Sequence, residues 1–341
     1  MKKIAADSEL IYNRNSKEMI IFVLIILAAL YMGWSMGAND AANCVGADIG
    51  SGIMPLKFGI AITCFFSLIG ALLLGGNVIK TIGRGVVALN EMPNSDAGIL
   101  ALAALFSAAL WVTLATYKKF PVSTSHSIVG AVAGGGLALN TAVQWEKIGQ
   151  IFICWALTPV GSCILAILLY PAFKLFFGIS VIKKRERLIL HVLIYVTSAY
   201  LAFTWGANDV ANATGILFGT QKFTPHSAAL LGALAITVGV VTWGYRVIET
   251  VGFKIAHITP LMTVSIEVAT ALNVHIYTHY GIPVSTSHSI VGAVWGAGIV
   301  QGIKTMNLKL VREIILTWAL TPLISGIITY VLITVFLFLV K

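Results

Sequence analysis

Charge is the scarcest resource in this sequence. Asp, Glu, Lys and Arg together make up 10% of its 341 residues, whereas 58% are hydrophobic, and the mean hydropathy is +0.92. A water-soluble domain carries roughly a quarter charged residues, so this chain cannot furnish a soluble surface and reads as a polytopic membrane protein. Cysteine is sparse too. Cys44, Cys64, Cys154 and Cys163 stand singly in or beside apolar runs, with no CxxC pair, which argues for packing residues and against a metal or redox site. The GxSxG string at Gly33–Gly37 closes a long apolar run rather than sitting at a strand-to-helix turn, so it does not present a hydrolytic nucleophile, and the chain is read as not an enzyme. The alternation of a membrane β-barrel is missing, and open sheets cannot cross lipid. An all-α membrane fold remains.

Apolar windows run over Met19–Met36, Phe58–Gly75, Ile99–Leu114, Ser127–Leu139 and Ile148–Leu169. A second series covers Leu188–Phe203, Ser227–Trp243, Ile258–Tyr277, Ile290–Val300 and Ile314–Val340. A crossing helix needs about 20 apolar residues, so the windows at Ser127 and Ile290 are short. Lys2, Lys3, Arg14 and Lys17 precede the first window as they would in a signal peptide. Its apolar run is too long for that reading, and it is expected to stay. The formal charge of +9 comes from Lys and Arg in the connections between windows. It marks orientation rather than nucleic-acid binding.

The two series are copies of one plan. GANDAANCVG at Gly37–Gly46 returns as GANDVANATG at Gly206–Gly215, and NVIKTIG at Asn77–Gly83 returns as RVIETVG at Arg246–Gly252. PVSTSHSIVGAV occurs letter for letter at Pro121–Val132 and Pro283–Val294, and WALTP occurs at Trp155–Pro159 and Trp318–Pro322. Residues 1–182 are therefore expected to form one repeat and 188–341 another, joined by the basic loop 183–187. If all five windows of a repeat cross, the odd number inverts the second repeat relative to the first. If the short fourth window is re-entrant, that parity fails. With all windows crossing, 13 Lys and Arg lie on the side of the central loop and 9 on the other. This places the loop in the cytoplasm of a multi-pass cell-membrane protein.

Two polar motifs interrupt the oil. In GANDxAN, Asn39, Asp40 and Asn43 share one flank of a helix, as do Asn208, Asp209 and Asn212. Their oxygens are hard donors suited to Na+ or to protons, and intramembrane carboxylates commonly mark ion pathways. The site works best if the helices are tilted or broken around Gly37 and Gly206. In PVSTSHS, a proline suited to a first helical turn precedes hydroxyls and a glycine-rich run. The expectation is a half-helix that offers its N-terminus to an anion. His126 and His288 are expected to orient that site rather than to touch its ligand. Glu267 is either a cation ligand or an acid satisfied by packing, and Trp155 and Trp318 read as anchors near a proline break.

GANDAAN and GANDVAN paired with two PVSTSHS runs resemble the inorganic phosphate transporter family, over about Met19–Val340. The resemblance implies import of inorganic phosphate by symport with Na+ or H+ through alternating access. Sulfate or another tetrahedral oxyanion is the rival cargo. It also implies phosphate-facing groups at Ser123, Thr124, Ser125, Ser285, Thr286, Ser287, Asn43 and Asn212. Cation-binding groups are Asn39, Asp40, Asn208, Asp209 and Glu267, with Na+ at Asp40 and Asp209 if Na+ is the coupling ion. No other cofactor is implied. The partners are phosphate and membrane lipid, and a homodimer is compatible with the sequence. The family often reads STTH where this chain has STSH, and this chain lacks the long hydrophilic central insert of many members.

Overall fold

The computed structural model describes residues 2–249, 258–302 and 308–340, so the end of the Arg246–Gly252 match lies outside the described residues. Among the described residues the chain is helical, with one isolated bridge between Val87 and Val143. The first series comprises α1 (Lys2–Gly50), α2 (Leu56–Leu74), α3 (Gly76–Gly85), α4 (Asn94–Tyr117), α5 (Thr124–Ala138) and α6 (Trp145–Gly178). After the short α7 (Ser180–Lys183) come α8 (Glu186–Gly219), α9 (Pro225–Trp243), α10 (Tyr245–Glu249), α11 (Pro260–His279), α12 (Thr286–Gln301) and α13 (Leu308–Val340).

Each apolar window matches its own helix to within two residues, yet the lengths are unequal. Among the described residues, seven helices (α1, α2, α4, α6, α8, α9 and α13) are long and apolar enough to cross a membrane. The 15 residues of α5 and 16 of α12 give about 22–24 Å at 1.5 Å per residue, short of the ~30 Å hydrocarbon core. They are half-helices. The short α3 and α10 had no apolar window to announce them.

The GANDxAN helices are not broken. α1 runs through Gly37 to Gly50, and α8 through Gly206 to Gly219. A helical glycine costs only about 1 kcal/mol, and here it permits close crossing. A Cβ on Gly37 would lie 2.1 Å from the Ile236 carbonyl oxygen, and one on Gly206 would lie 2.1 Å from that of Ser67. The proline breaks also differ from expectation, since α6 continues through Pro159 and α13 through Pro322. Nor does Pro121 open a helix. Pro121–Ser123 is extended, α5 begins at Thr124, and Ser123 caps it by accepting from the His126 N–H; Ser285 caps α12 in the same way from His288.

Contacts between the series recur in matched pairs. A Cβ on Gly130 of α5 would meet Pro322 O of α13 at 2.2 Å, and one on Gly292 of α12 would meet Pro159 O of α6 at 2.2 Å. Each half-helix is thus seated on the last helix of the other series. α1 packs along α9, with Gly33 against Ala235 and Ala41 against Gly244.

Candidate functional site

The two GANDxAN segments and the starts of α5 and α12 meet in one buried polar cluster. Asp40 and Asp209 are each 1% exposed. Leu100, Leu105, Met36 and Trp205 are among the fully buried side chains of the surrounding core.

Asn39 and Asn208 hold the extended segments that lead into the half-helices. The Asn39 amide donates to Thr116 Oγ1 (2.9 Å) and Phe120 O (3.0 Å), while its Oδ1 accepts from Val122 N (3.1 Å). Asn208 repeats the pattern with Thr278 Oγ1 (2.8 Å), Ile282 O (3.3 Å) and Val284 N (3.3 Å). Both side chains are therefore engaged with backbone and threonine, a positioning occupation that spacing alone did not disclose.

The carboxylates lie at the centre. Asp40 Oδ2 accepts from Thr124 Oγ1 at 2.9 Å, and its Oδ1 accepts from Asn43 Nδ2 at 3.1 Å and Ser287 Oγ at 3.4 Å. Asp209 accepts from Thr286 Oγ1 at 2.8 Å and from Asn212 Nδ2 at 3.2 Å. The series then cross over. Asn43 donates to Ser287 (2.9 Å), and Asn212 donates to Ser125 (3.0 Å) and Thr124 (3.3 Å). Ser125 donates to Val284 O and Ser287 to Val122 O, each at 3.1 Å. Asn43 Oδ1 and Asn212 Oδ1 are buried without a partner. Such orphaned acceptors are costly and point to a ligand that brings hydrogen-bond donors or positive charge. Hard oxygen donors of this kind fit Na+. No grouping of three or more His, Cys, Asp or Glu suited to a metal occurs among the described residues.

The histidines stand behind the cluster. His126 stacks on Trp155 and His288 on Trp318, with ring centroids 3.7 and 3.8 Å apart, and the two imidazoles meet edge to face at 4.4 Å. His126 Nδ1 bonds Trp318 O at 3.2 Å, and His288 Nδ1 bonds Trp155 O at 3.3 Å. WALTP explains these acceptors. Proline lacks the N–H that would take the carbonyl four residues earlier, so Pro322 frees Trp318 O and Pro159 frees Trp155 O. A carbonyl can only accept, so Nδ1 carries the proton in both rings. Trp155 Nε1 further donates to Pro283 O at 3.0 Å.

Glu267 lies apart from this cluster. It accepts from Thr197 and, at 3.0 Å, from Ser198; Ser198 also donates to Asp48 at 2.9 Å. Asp48 drew no notice in the sequence because the second GANDxAN copy has Leu217 at the matching place.

A buried cluster of acids, amides and hydroxyls, carried by half-helices inside a bundle of membrane-length helices, defines an integral membrane transporter. The chain belongs to the phosphate transporter family, whose family model matches residues 36–329. A candidate phosphate permease of Chlamydia pneumoniae is 30% identical, with 89% of this chain and 95% of that protein covered. One from Pyrococcus furiosus is also 30% identical, covering 90% and 94%. A solved structure described as the sodium-dependent phosphate transporter superposes with a TM-score of 0.85 at 25% identity, over 94% of this chain and 99% of that one.

Proposed function

We propose that this protein imports inorganic phosphate by symport with Na+ or H+, through alternating access of the Asp40–Asp209 cluster. The observation that carries the choice of cargo is the surplus of acceptors. Two carboxylates and the unpartnered Asn43 and Asn212 oxygens lie in one buried cluster whose amides and hydroxyls bond across the two series. Phosphate retains a proton near neutral pH and can donate it to such acceptors, whereas sulfate cannot. The capped starts of α5 and α12 supply first-turn N–H groups for the other oxyanion oxygens, and the hydroxyls of Thr124, Ser125, Thr286 and Ser287 add donors on turning away from Asp40, Val284 O, Asp209 and Val122 O. Ser123 and Ser285 hold the caps that aim them.

The coupling ion follows from electrostatics. Asp40 and Asp209 would repel an anion unless protons or Na+ offset their charge, so ion and phosphate bind together. The dependence named for the solved relative favours Na+. Residues 1–182 and 188–341 form two repeats, and two observations support an inverted relation between them. Asp48, late in α1, bonds Ser198, early in α8, while α9 runs alongside α1. The matching helices α1 and α8 are therefore antiparallel, as an axis in the membrane plane requires. The basic loop Lys183–Arg187 faces the cytoplasm.

Uptake of labelled phosphate by proteoliposomes under an imposed Na+ gradient, and separately under a pH gradient, tests the reading. Accumulation above the equilibrium level under at least one gradient is expected. Preference for sulfate over phosphate in competition, or equilibration without accumulation, would overturn it.

A further inference from the structure

An open cavity lies away from the central cluster, on the face that carries the central loop. Its volume is about 1020 Å3, and its walls come from three stretches distant in sequence: Gly52 and Ile53 after α1, the α7–α8 junction between Lys183 and His191, and Pro260 at the head of α11. Lys183, Lys184, Arg185 and Arg187 bring four cations to it, against the one carboxylate of Glu186. All four are exposed, and none pairs with a carboxylate among the described residues. An orientation signal requires only a count of charges in a connection. It does not require the connection to border a hollow whose other walls come from two further elements.

The cavity leads onto an apolar flank. Leu188, on its wall, heads a row with Val192 and Val196 along α8, and each of the three is more than half exposed. Residues four apart share one face of a helix, so this row runs about 12 Å along the axis towards the hydrocarbon. Beside it, His191 Nδ1 bonds Arg187 O at 2.7 Å. A carbonyl can only accept, so Nδ1 carries the proton and Nε2 is left as an acceptor.

We propose that this cavity is a selective site for an anionic glycerophospholipid. Lys183, Lys184, Arg185 and Arg187 hold the lipid phosphate, and an acyl chain lies along Leu188, Val192 and Val196. Basic pockets between membrane helices suit such head groups. A zwitterionic lipid carries its own cation, which competes with the four side chains, so the site selects by charge. His191 Nε2 accepts from a head-group hydroxyl. Free phosphate would meet the same cations and leave the apolar row uncovered, which commits the site to lipid. Because the walls belong to both series, the lipid ties the repeats together and stabilises the folded chain by mass action.

The test counts lipids that stay with the purified full-length chain after extraction from vesicles of equal phosphatidylglycerol and phosphatidylcholine, by native mass spectrometry. The wild type is expected to keep at least one more phosphatidylglycerol than phosphatidylcholine per chain. Its melting temperature in phosphatidylcholine nanodiscs is expected to rise when phosphatidylglycerol is added. Combining Lys183→Gln, Lys184→Gln, Arg185→Gln and Arg187→Gln should abolish both effects, while the variant elutes and melts like the wild type in phosphatidylcholine alone. Lys80→Gln with Lys118→Gln, at exposed lysines elsewhere, should preserve both. Equal retention of the two lipids by the wild type, retention by the fourfold variant, or an equal loss in the Lys80 and Lys118 control overturns the site. Displacement of the lipid by millimolar inorganic phosphate assigns the cations to a free anion and overturns it too. Phosphate uptake is a separate measurement, so its failure would sink the transport reading and leave this lipid count intact.

Discussion

At the scale of single residues, the site's chemistry rests on acceptors held ready by neighbours. Asp40 takes three hydrogen bonds, one of them from Ser287 of the second series, and Asp209 takes two from its own series. Asp40→Asn or Asp209→Asn removes the charge that binds the coupling ion and disturbs donors worth about 1.5–3 kcal/mol each. Coupled uptake is expected to fall by roughly 10- to 100-fold, with the elution profile unchanged; wild-type uptake by either variant would refute the assignment. The carboxylates, amides and hydroxyls were legible as a group, because polar residues in oil stand out and their repetition excludes accident. The division of labour among them was not. Spacing places Asn39 and Asn43 on one flank, but only the fold reveals that Asn39 grips Phe120–Val122 while Asn43 reaches Ser287.

At the scale of elements, PVSTSHS and WALTP prove to be halves of one joint. Pro322 withholds an N–H, Trp318 O is left over, and His126 of a distant helix takes it. Pro322→Ala restores the missing N–H and with it a competitor for that carbonyl. The helix itself gains up to about 3 kcal/mol of propensity, so thermal stability should not fall. Phosphate uptake should drop about tenfold, as expected for one hydrogen bond near 1.4 kcal/mol. An unaffected KM and kcat would show the joint to be ornamental. Gly292→Ala tests the seat beside it. Its Cβ would stand 2.2 Å from Pro159 O, and the helices must separate at a cost of about 1–3 kcal/mol, measurable as a lowered melting temperature in detergent. Sequence reading recognised the helices but expected α1 and α8 to be tilted or broken around Gly37 and Gly206, where glycine instead permits close approach in a continuous helix. It also missed α3 and α10, which carry too few apolar residues to form a window.

At the scale of the whole molecule, the arrangement is directional. If Lys183–Arg187 faces the cytoplasm as proposed, a cysteine replacing Lys184 should react with a membrane-impermeant maleimide in inside-out vesicles and resist it in right-side-out ones; the reverse pattern would invert the orientation. The duplication was plain in the sequence, whereas its interlocking was not, since letters that match along the chain do not say which copy they will touch. Ser125 bonds the second series and Ser287 the first, and each half-helix leans on the other's final helix. That exchange constrains the protein's history. A lone half would keep its own cap and its own Asp–Thr bond. It would lack the partner carbonyl for its serine, the freed tryptophan carbonyl for its histidine and the groove for its half-helix. If the two repeats are inverted as proposed, an unfused forerunner would have needed two chains inserted in opposite senses, because neither half completes the cluster alone.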